Sequence, residues 1–260
     1  MERKTVWISG AANGIGKATA ILFKKHGYFV GIADIDEAGL KELQQELGAE
    51  NSHYMVCDVS SPESVKAAFD SFALKTDKRL DVLVANAGVL AVSYFEETPL
   101  EKYKQIVDIN AFGNVNQVYQ ALPVLKNTPG SHIVFISSSS AIWGIPFYTV
   151  YSATKGFVKH LTEALQIEFE RHGITVNSVL PHMVKTAMED AQLDGGAKPE
   201  QFMITPEITA EVIWKAANNP KKLHWVMGKN MGLFFFLKRI YSNNGMQKLI
   251  RKILYDPFRS

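Results

Sequence analysis

One short segment, TVWISGAANGIG at residues 5–16, determines the architecture of this chain more than any other part of it. The segment opens with an apolar run typical of a β-strand and continues into a turn with Gly10, Gly14 and Gly16, where a helical pattern begins. Glycine lets such a turn bring its backbone close to a pyrophosphate, and the free N–H groups of the helix start attract negative charge. The segment therefore predicts a dinucleotide phosphate loop, although the same glycines also occur in plain tight turns.

The rest of the chain repeats this alternation of short apolar strands and longer helical patterns. The strands are almost continuously apolar, as burial on both faces requires, and strict alternation implies right-handed crossovers between parallel strands. We therefore predict an α/β fold, with a Rossmann-type doubly wound parallel sheet of about seven strands and helices on both faces. The predicted strands are 5–9, 28–33, 53–57, 81–85, 132–136, 174–180 and 223–227.

Several predicted helices have recognisable boundary signals. A helical pattern over 37–47 ends at a glycine, and Ser61 followed by Pro62 is typical of an N-cap with proline at the first helical position. Thr98 and Glu101 have the spacing of a capping box, which predicts the start of a long regular helix.

Length and composition bound the remaining possibilities. The chain has 260 residues, 47% hydrophobic and 21% charged, as in an ordinary globular protein. Its single cysteine, Cys57, excludes an intramolecular disulfide and a multi-cysteine zinc site, and we predict no metal site. No stretch has the apolar length of a signal peptide or a membrane span. We expect one domain over 1–260, with a core at 1–220, a helical extension at 221–260, and a cytoplasmic or membrane-peripheral location.

Charge is distributed unevenly along the chain. The C-terminal extension, residues 221–260, contains nine Lys or Arg and one acid, a formal charge of +8, whereas the rest carries −6. An apolar run at 231–237 precedes apolar residues at helical spacing over 246–254, with basic residues on the other face. Three interpretations are open: the extension covers a substrate mouth, packs against another subunit, or contacts an anionic membrane through 231–260. The acidic body argues against nucleic acid as a partner.

The second predicted strand ends at Asp34, 18 residues beyond Gly16. A carboxylate at that strand end can accept hydrogen bonds from both adenosine ribose hydroxyls, and it repels a 2′-phosphate. Asp34 therefore favours NAD over NADP as the cofactor. Asp36 and Glu37 lie close enough in sequence to compete for this role.

Tyr151 and Lys155 stand four residues apart, on one face of a predicted helix. Ser138 follows the fifth predicted strand, at the sheet edge where such folds bind ligands. A tyrosine with the usual pKa of about 10 is a poor base at neutral pH, but Lys155 and an oxidised nicotinamide both favour the phenolate. Tyr151 then acts as general base in alcohol oxidation and general acid in carbonyl reduction, while Ser138 donates to the substrate oxygen. Each residue taken alone is also compatible with a surface helix or a polar turn.

Together these motifs resemble the short-chain dehydrogenase/reductase family, in its single-domain branch, over residues 3–220. The resemblance is carried by the glycine turn, Asp58-Val59, Asn86-Ala87-Gly88, Asn110, Ser138, Tyr151 with Lys155, and Pro181 with Thr186. It implies that the cofactor contacts are Gly10, Asn13, Gly14, Ile15, Gly16, Asp34, Asp58, Val59, Asn86, Ala87, Gly88, Tyr151, Lys155, Pro181, Val184 and Thr186.

The resemblance also implies that the catalytic residues are Asn110, Ser138, Tyr151 and Lys155. Lys155 would in addition bind the nicotinamide ribose, and Asn110 would hold a water that relays protons from Lys155 to solvent. The same resemblance implies a homodimer or homotetramer, formed through the long helices near 99–122 and 151–170.

Bulky and mostly apolar side chains are predicted to line the substrate pocket. These are Leu90, Ile142, Trp143, Phe147, Tyr148, His182 and Met183, and by resemblance the segment between Thr186 and Thr205 is the substrate lid. The pocket predicts a small hydrophobic alcohol or carbonyl substrate, similar to a steroid, a retinoid or an acyl chain.

His182 departs from the family pattern, which has glycine after the proline at 181. Its ring pushes the following loop outward, lines the pocket, or is satisfied by solvent or backbone. Together with the unusual extension, it supports an alternative in which the protein binds a dinucleotide as a regulator or scaffold. A sugar-nucleotide epimerase is a second alternative, disfavoured by the glycine spacing and the lack of a large C-terminal substrate domain.

Overall fold

The structure is a computed structural model that describes residues 3–186, 204–228 and 231–255. Its strands are β1 (Thr5–Ser9), β2 (Phe29–Asp34), β3 (Ser52–Val56), β4 (Val82–Ala85), β5 (His132–Ile136), β6 (Thr175–Leu180) and β7 (His224–Val226). All pair in parallel, in the spatial order β3-β2-β1-β4-β5-β6-β7. The predicted Rossmann-type parallel sheet is confirmed.

Helices cover the sheet and continue into the C-terminal extension. They are α1 (Gly14–Lys25), α2 (Glu37–Leu47), α3 (Pro62–Lys75), α4 (Leu100–Val107), α5 (Gly113–Asn127), α6 (Thr149–Phe169), α7 (Pro206–Ala217), α8 (Met231–Ile240) and α9 (Asn243–Ile250). A π-helical segment, Asp108–Phe112, joins α4 to α5, and a second one, Arg251–Tyr255, follows α9. Within the described part of the chain, no helix combines the length and apolarity that crossing a bilayer requires.

Strand β1 divides the hydrophobic core between the two faces of the sheet. Trp7 packs into one layer, where its ring stacks on Phe69 with 3.9 Å between ring centroids. Val6 and Ile8 belong to the other layer, together with Leu43 of α2. Alternate side chains of a strand face opposite sides, so a strand covered on both faces must be apolar throughout. This is why the sheet is so visible in the sequence.

Strands β1 and β4 are neighbours at the centre of the sheet, where the strand order reverses. Connections after the two strands therefore leave in opposite directions and open a crevice at their carboxyl ends, which is where doubly wound sheets bind ligands. The predicted site residues lie at or after the carboxyl ends of β1, β2, β3, β4, β5 and β6.

Several element boundaries agree with the sequence prediction. Strands β1 and β5 and helix α2 have the predicted bounds, and the other strands differ by one residue at one or both ends. Ser61 is the N-cap of α3, where its side chain accepts a hydrogen bond from the backbone N–H of Ser64 at 3.1 Å. Pro62 is the first helical residue, because its missing N–H has no helical partner to lose there.

The predicted capping box at Thr98 is wrong. Helix α4 begins at Leu100 with Pro99 as its N-cap, and the Thr98 hydroxyl instead makes a hydrogen bond with the hydroxyl of Ser93. The predicted long regular helix is also wrong in one respect, because the segment Asp108–Phe112 has π-helical geometry. Such insertions occur frequently at functional sites.

Candidate active site

The glycine turn after β1 is too tight for side chains at two of its positions. Gly10 has a φ of +62°, which other residues rarely adopt, and a Cβ on Gly16 would lie 2.0 Å from the carbonyl oxygen of Gly10. The side chain of Asn13 does not cap α1, so the first-turn N–H groups of this helix keep their donor capacity. A cradle of backbone donors with no Cβ in the way fits a dinucleotide pyrophosphate.

Asp34 lies at the end of β2, directly beside this turn. One oxygen of its carboxylate accepts from the N–H of Ala12 at 3.0 Å, and the other accepts from the N–H of Asp36 at 3.1 Å. The two competing acids are engaged elsewhere: Asp36 caps α2 through the N–H of Gly39, and Glu37 pairs with Lys41. Asp34 therefore holds the glycine turn in place through the N–H of Ala12.

Asn86 joins the end of β4 to the glycine turn. Its Nδ2 donates to the carbonyl oxygens of Ser9 and Gly10 at 2.9 and 3.0 Å. In return, the Ser9 hydroxyl accepts from the backbone N–H groups of Asn86 and Ala87. Ser9 was assigned no role from the sequence, although a buried hydroxyl ending an apolar strand was a usable signal. These hydrogen bonds fix the distance between the carboxyl ends of β1 and β4.

Asp58 and Val59 follow β3 at the same edge of the sheet. Asp58 is exposed, and its carboxylate accepts from the N–H of Ser60 at 2.9 Å. Val59 is buried, and its carbonyl oxygen accepts from Asn116 Nδ2 at 2.9 Å. The backbone at these two predicted cofactor contacts is therefore fixed by a turn on one side and by α5 on the other.

Lys155 of α6 is the most unusual charged residue of the site. It is 4% exposed, and its Nζ donates to the carbonyl oxygen of Ile136, the last residue of β5, at 3.0 Å. Burial lowers the pKa of Lys155 to about 8, and no carboxylate of the described chain pairs with it. The Nζ lies 5.5 Å from the ring centroid of Tyr151, one helical turn earlier. A buried lysine without a counter-ion costs folding free energy, which points to a functional role.

Asn110 lies in the π-helical segment and is fully buried. Its side chain is bound on both sides by the backbone of Val89, with Oδ1 accepting and Nδ2 donating at 2.8 Å each. Its carbonyl oxygen accepts from Asn114 Nδ2 at 2.6 Å. The side chain therefore anchors the loop after β4.

Ser138 and His182 lie on neighbouring loops beyond β5 and β6. The Ser138 hydroxyl oxygen accepts from the N–H of Ser140 at 3.2 Å, which leaves its proton available to a substrate. The His182 Nδ1 makes a hydrogen bond with the Ser139 hydroxyl at 3.1 Å, and burial lowers the pKa of His182. The Nδ1 side of this half-buried ring therefore joins the two loops.

The chain after His182 returns to the glycine turn. Val184 forms a parallel bridge with Ile204, and a Cβ on Gly14 would lie 3.2 Å from the Thr186 methyl group. Thr186 is thus beside the glycine turn. The predicted lid lies mostly at 187–203, outside the described residues.

The C-terminal extension reaches two of the predicted pocket residues. The Tyr255 ring stacks on Phe147 with 5.8 Å between centroids and an interplanar angle of 16°, and Lys238 Nζ lies 5.9 Å from the Trp143 ring centroid. Tyr94 packs edge-on against Phe147. The contacts of Tyr94, Tyr255 and Lys238 were not predicted.

The remaining predicted pocket residues differ in how much surface they offer. Leu90 and Ile142 are buried, so they contribute almost no accessible surface. Tyr148 and Met183 are half-buried, and the Tyr148 ring lies 6.2 Å from the ring of Tyr151.

The fold and the site together define an oxidoreductase of the Rossmann type that binds a nicotinamide dinucleotide. The model of the short chain dehydrogenase family matches residues 4–195. The chain belongs to this family.

Individual relatives carry more specific names. The chain is 32% identical over 238 residues to a mitochondrial borneol dehydrogenase of Lavandula x intermedia, covering 89% of each protein. It is 26% identical to a 3-ketoacyl-(acyl-carrier-protein) reductase from Brucella melitensis complexed with NADH, with a TM-score of 0.78, covering 87% of this chain and 97% of that one. An alcohol dehydrogenase from Thermococcus sibiricus complexed with 5-hydroxy-NADP has the same identity, TM-score and coverage.

Proposed function

We propose that this protein interconverts hydrophobic secondary alcohols and ketones with NAD(H), and that Tyr151 is its general acid and base. The observation that carries the proposal is the buried Lys155, hydrogen-bonded to the end of β5 and lying under the ring of Tyr151. Ser138 lies two residues beyond the end of β5, and we propose that it acts together with Tyr151 and Lys155.

The proton chemistry follows from these residues. A bound nicotinamide accepts or supplies the hydride at the carbon that carries the substrate oxygen. Tyr151 takes the proton from that oxygen in oxidation and returns it in reduction. Lys155 remains mostly cationic at neutral pH, because its pKa is about 8, and its charge favours the phenolate form of Tyr151. Ser138 donates its hydroxyl proton to the same substrate oxygen and fixes its position.

The proposed substrate class rests on the aromatic wall of the pocket. The Phe147 ring contacts the rings of Tyr94 and Tyr255, and Lys238 Nζ lies over the ring of Trp143. Apolar rings offer dispersion contact and little hydrogen bonding, which suits a hydrophobic body around one reacting oxygen. We propose further that the extension and the core form one domain, because these contacts connect residues 221–260 to the pocket wall.

Initial rates of NADH formation from NAD and secondary alcohols of increasing chain length test this proposal. We expect kcat/KM to rise by up to about fourfold for each added CH₂ that the pocket buries. Tyr151→Phe is the control, whose rate should be lower by a factor of about 10² to 10⁴. Equal turnover of short polar and long apolar alcohols would contradict the substrate class. No rate in spite of demonstrated NAD binding would contradict the catalytic assignment.

We propose NAD rather than NADP, because Asp34 would face a 2′-phosphate. The substitutions Asp34→Ala and Ile35→Arg together replace a repelling carboxylate by a cation at an exposed neighbour. We expect the ratio of kcat/KM for NADP to that for NAD to increase about ten- to a hundredfold. Because Asp34 also binds the N–H of Ala12, activity with both cofactors will fall, and the ratio is the quantity to measure. Glu37→Ala is the matched control, and an unchanged ratio in the double variant would rule out Asp34 as the selector.

We also propose that the protein is a homodimer or homotetramer through the long helices. Six large apolar side chains of α4, of α6 and of residues 108–127 are exposed: Leu100, Val107, Phe112, Tyr119, Phe157 and Ile167. Their burial in a subunit interface would remove them from water. The resemblance to the family supplies the expectation that these helices meet a partner.

A further inference from the structure

Helix α8 presents an uncovered apolar row to solvent. Leu233, Phe236 and Ile240 are 57%, 56% and 62% exposed, and their spacing places them on one face of the helix. Tyr241 is 49% exposed, and its N–H donates to the carbonyl oxygen of Leu237, so it continues the same helical turn. Four neighbouring large apolar side chains, each about half exposed, form a patch that is costly to leave in water.

Helix α9 turns the opposite kind of surface outward. Its apolar residues Met246 and Ile250 are 0% and 4% exposed, whereas Lys248 and Lys252 are exposed. The apolar face of α9 is therefore already used inside the protein, and its cations remain available outside. The apolar surface and the charges of the extension thus come from two successive elements.

The charge of the C-terminal extension indicates which kind of partner binds the apolar row of α8. Residues 221–260 carry +8 against −6 for the rest of the chain. A twofold contact between two copies through α8 would bring two extensions of the same sign together, which is unfavourable. An anionic lipid bilayer complements both features, because it accepts apolar side chains at its interface and attracts lysine and arginine.

We propose that α8, together with the cations of α9 and of the π-helical segment after it, docks this protein on the surface of an anionic lipid bilayer. Leu233, Phe236, Ile240 and Tyr241 enter the headgroup region, and Lys248 and Lys252 contact the lipid phosphates.

Docking through this surface would also bring the predicted substrate pocket next to the membrane. Lys238 of α8 lies over Trp143, and Tyr255 after α9 stacks on Phe147, so the elements that bind lipid are the elements that line the pocket. An apolar substrate dissolved in the bilayer would then reach the site next to the membrane. This last step rests on the proposed function, whereas docking itself does not.

Co-sedimentation of the full-length protein with vesicles tests the proposal. One set of vesicles is phosphatidylcholine alone and the other an equimolar mixture with phosphatidylserine. We expect binding to the anionic set, and a decrease as salt screens the charges. Lys248→Gln with Lys252→Gln should weaken the partition coefficient about thirtyfold, since each cation near the surface contributes roughly a 5-fold factor. Phe236→Glu should weaken it at least about tenfold, and Phe236→Leu should not.

Leu74→Glu is the matched control, because Leu74 is equally apolar, 85% exposed and on α3. Thermal unfolding of each variant checks that the exposed substitutions leave the fold intact. Equal binding to both vesicle sets, or unchanged binding by Phe236→Glu, would overturn the proposal. The proposal would also be overturned if the parent did not bind anionic vesicles and Phe236→Glu formed a smaller oligomer in sedimentation velocity. A second copy of the chain would then cover the apolar row of α8. Tyr151→Phe should bind vesicles like the parent, which separates failure of docking from failure of catalysis.

Discussion

Replacing Tyr151 by phenylalanine is expected to reduce kcat for alcohol oxidation by a factor of about 10² to 10⁴. The phenyl ring keeps the packing against Lys155, whose Nζ lies 5.5 Å from the ring centroid, but the group that exchanges the substrate proton is gone. Without it, the proton of the alcohol must leave to water at a much higher free energy. The fall should therefore appear in kcat, with little change in the affinity for NADH.

Tyr103→Phe is the matched control for this loss of a hydroxyl. The Tyr103 hydroxyl donates to the carbonyl oxygen of Phe95 at 3.0 Å, and it lies on α4, outside the proposed site. We expect kcat within about twofold of the parent for this variant, since surface substitutions away from a site change free energies by less than about 0.5 kcal/mol. Steady-state kinetics and NADH fluorescence measure the two quantities separately. A Tyr151→Phe enzyme with parental kcat would remove Tyr151 from the mechanism.

The second large effect is expected from Gly16→Ala. The added Cβ would lie 2.0 Å from the carbonyl oxygen of Gly10. The Cβ is fixed to the backbone and the oxygen belongs to it, so neither atom can rotate away. The turn must open to relieve the clash. Overpacking of this kind lowers the free energy of unfolding by about 1–3 kcal/mol. Displaced N–H groups also lose charge-assisted hydrogen bonds to the pyrophosphate, which should weaken NADH binding about ten- to a hundredfold.

Gly144→Ala is the control for the same chemical change. A Cβ on Gly144 meets nothing within 4 Å, so NADH affinity and the free energy of unfolding should remain near the parent. Urea unfolding and NADH fluorescence titration provide the two measurements. Parental NADH affinity in Gly16→Ala would show that the turn does not need its observed spacing to bind the dinucleotide.

Much of the sheet could be predicted because burial on both faces requires a continuous apolar run in the sequence of each strand. Strand β1 is apolar at successive positions, since Trp7 and Ile8 enter opposite core layers. Helix α3 was equally predictable at its start, where Ser61 and Pro62 satisfy short-range requirements. In both cases the determining contacts lie within a few residues of each other or repeat along the element.

Site residues were predictable to the extent that they share one element. Tyr151 and Lys155 occupy one face of α6 through their spacing alone. The bond between Ser9 and Asn86 joins residues 77 apart, and that between Ser139 and His182 joins residues 43 apart. No local pattern specifies such pairs, because each hydroxyl has many partners that the chain could bring to it.

The sequence by itself determined the parallel sheet, the glycine turn and the pairing of Tyr151 with Lys155, because each depends on periodicity or short spacing. Only the tertiary structure decided that the Thr98 hydroxyl binds Ser93 instead of capping α4, and that Tyr255 stacks on Phe147. Amphipathic spacing states that one face of a helix leaves water, but it does not state what covers that face. Which residues cover that face depends on which distant parts of the chain folding brings into contact with it.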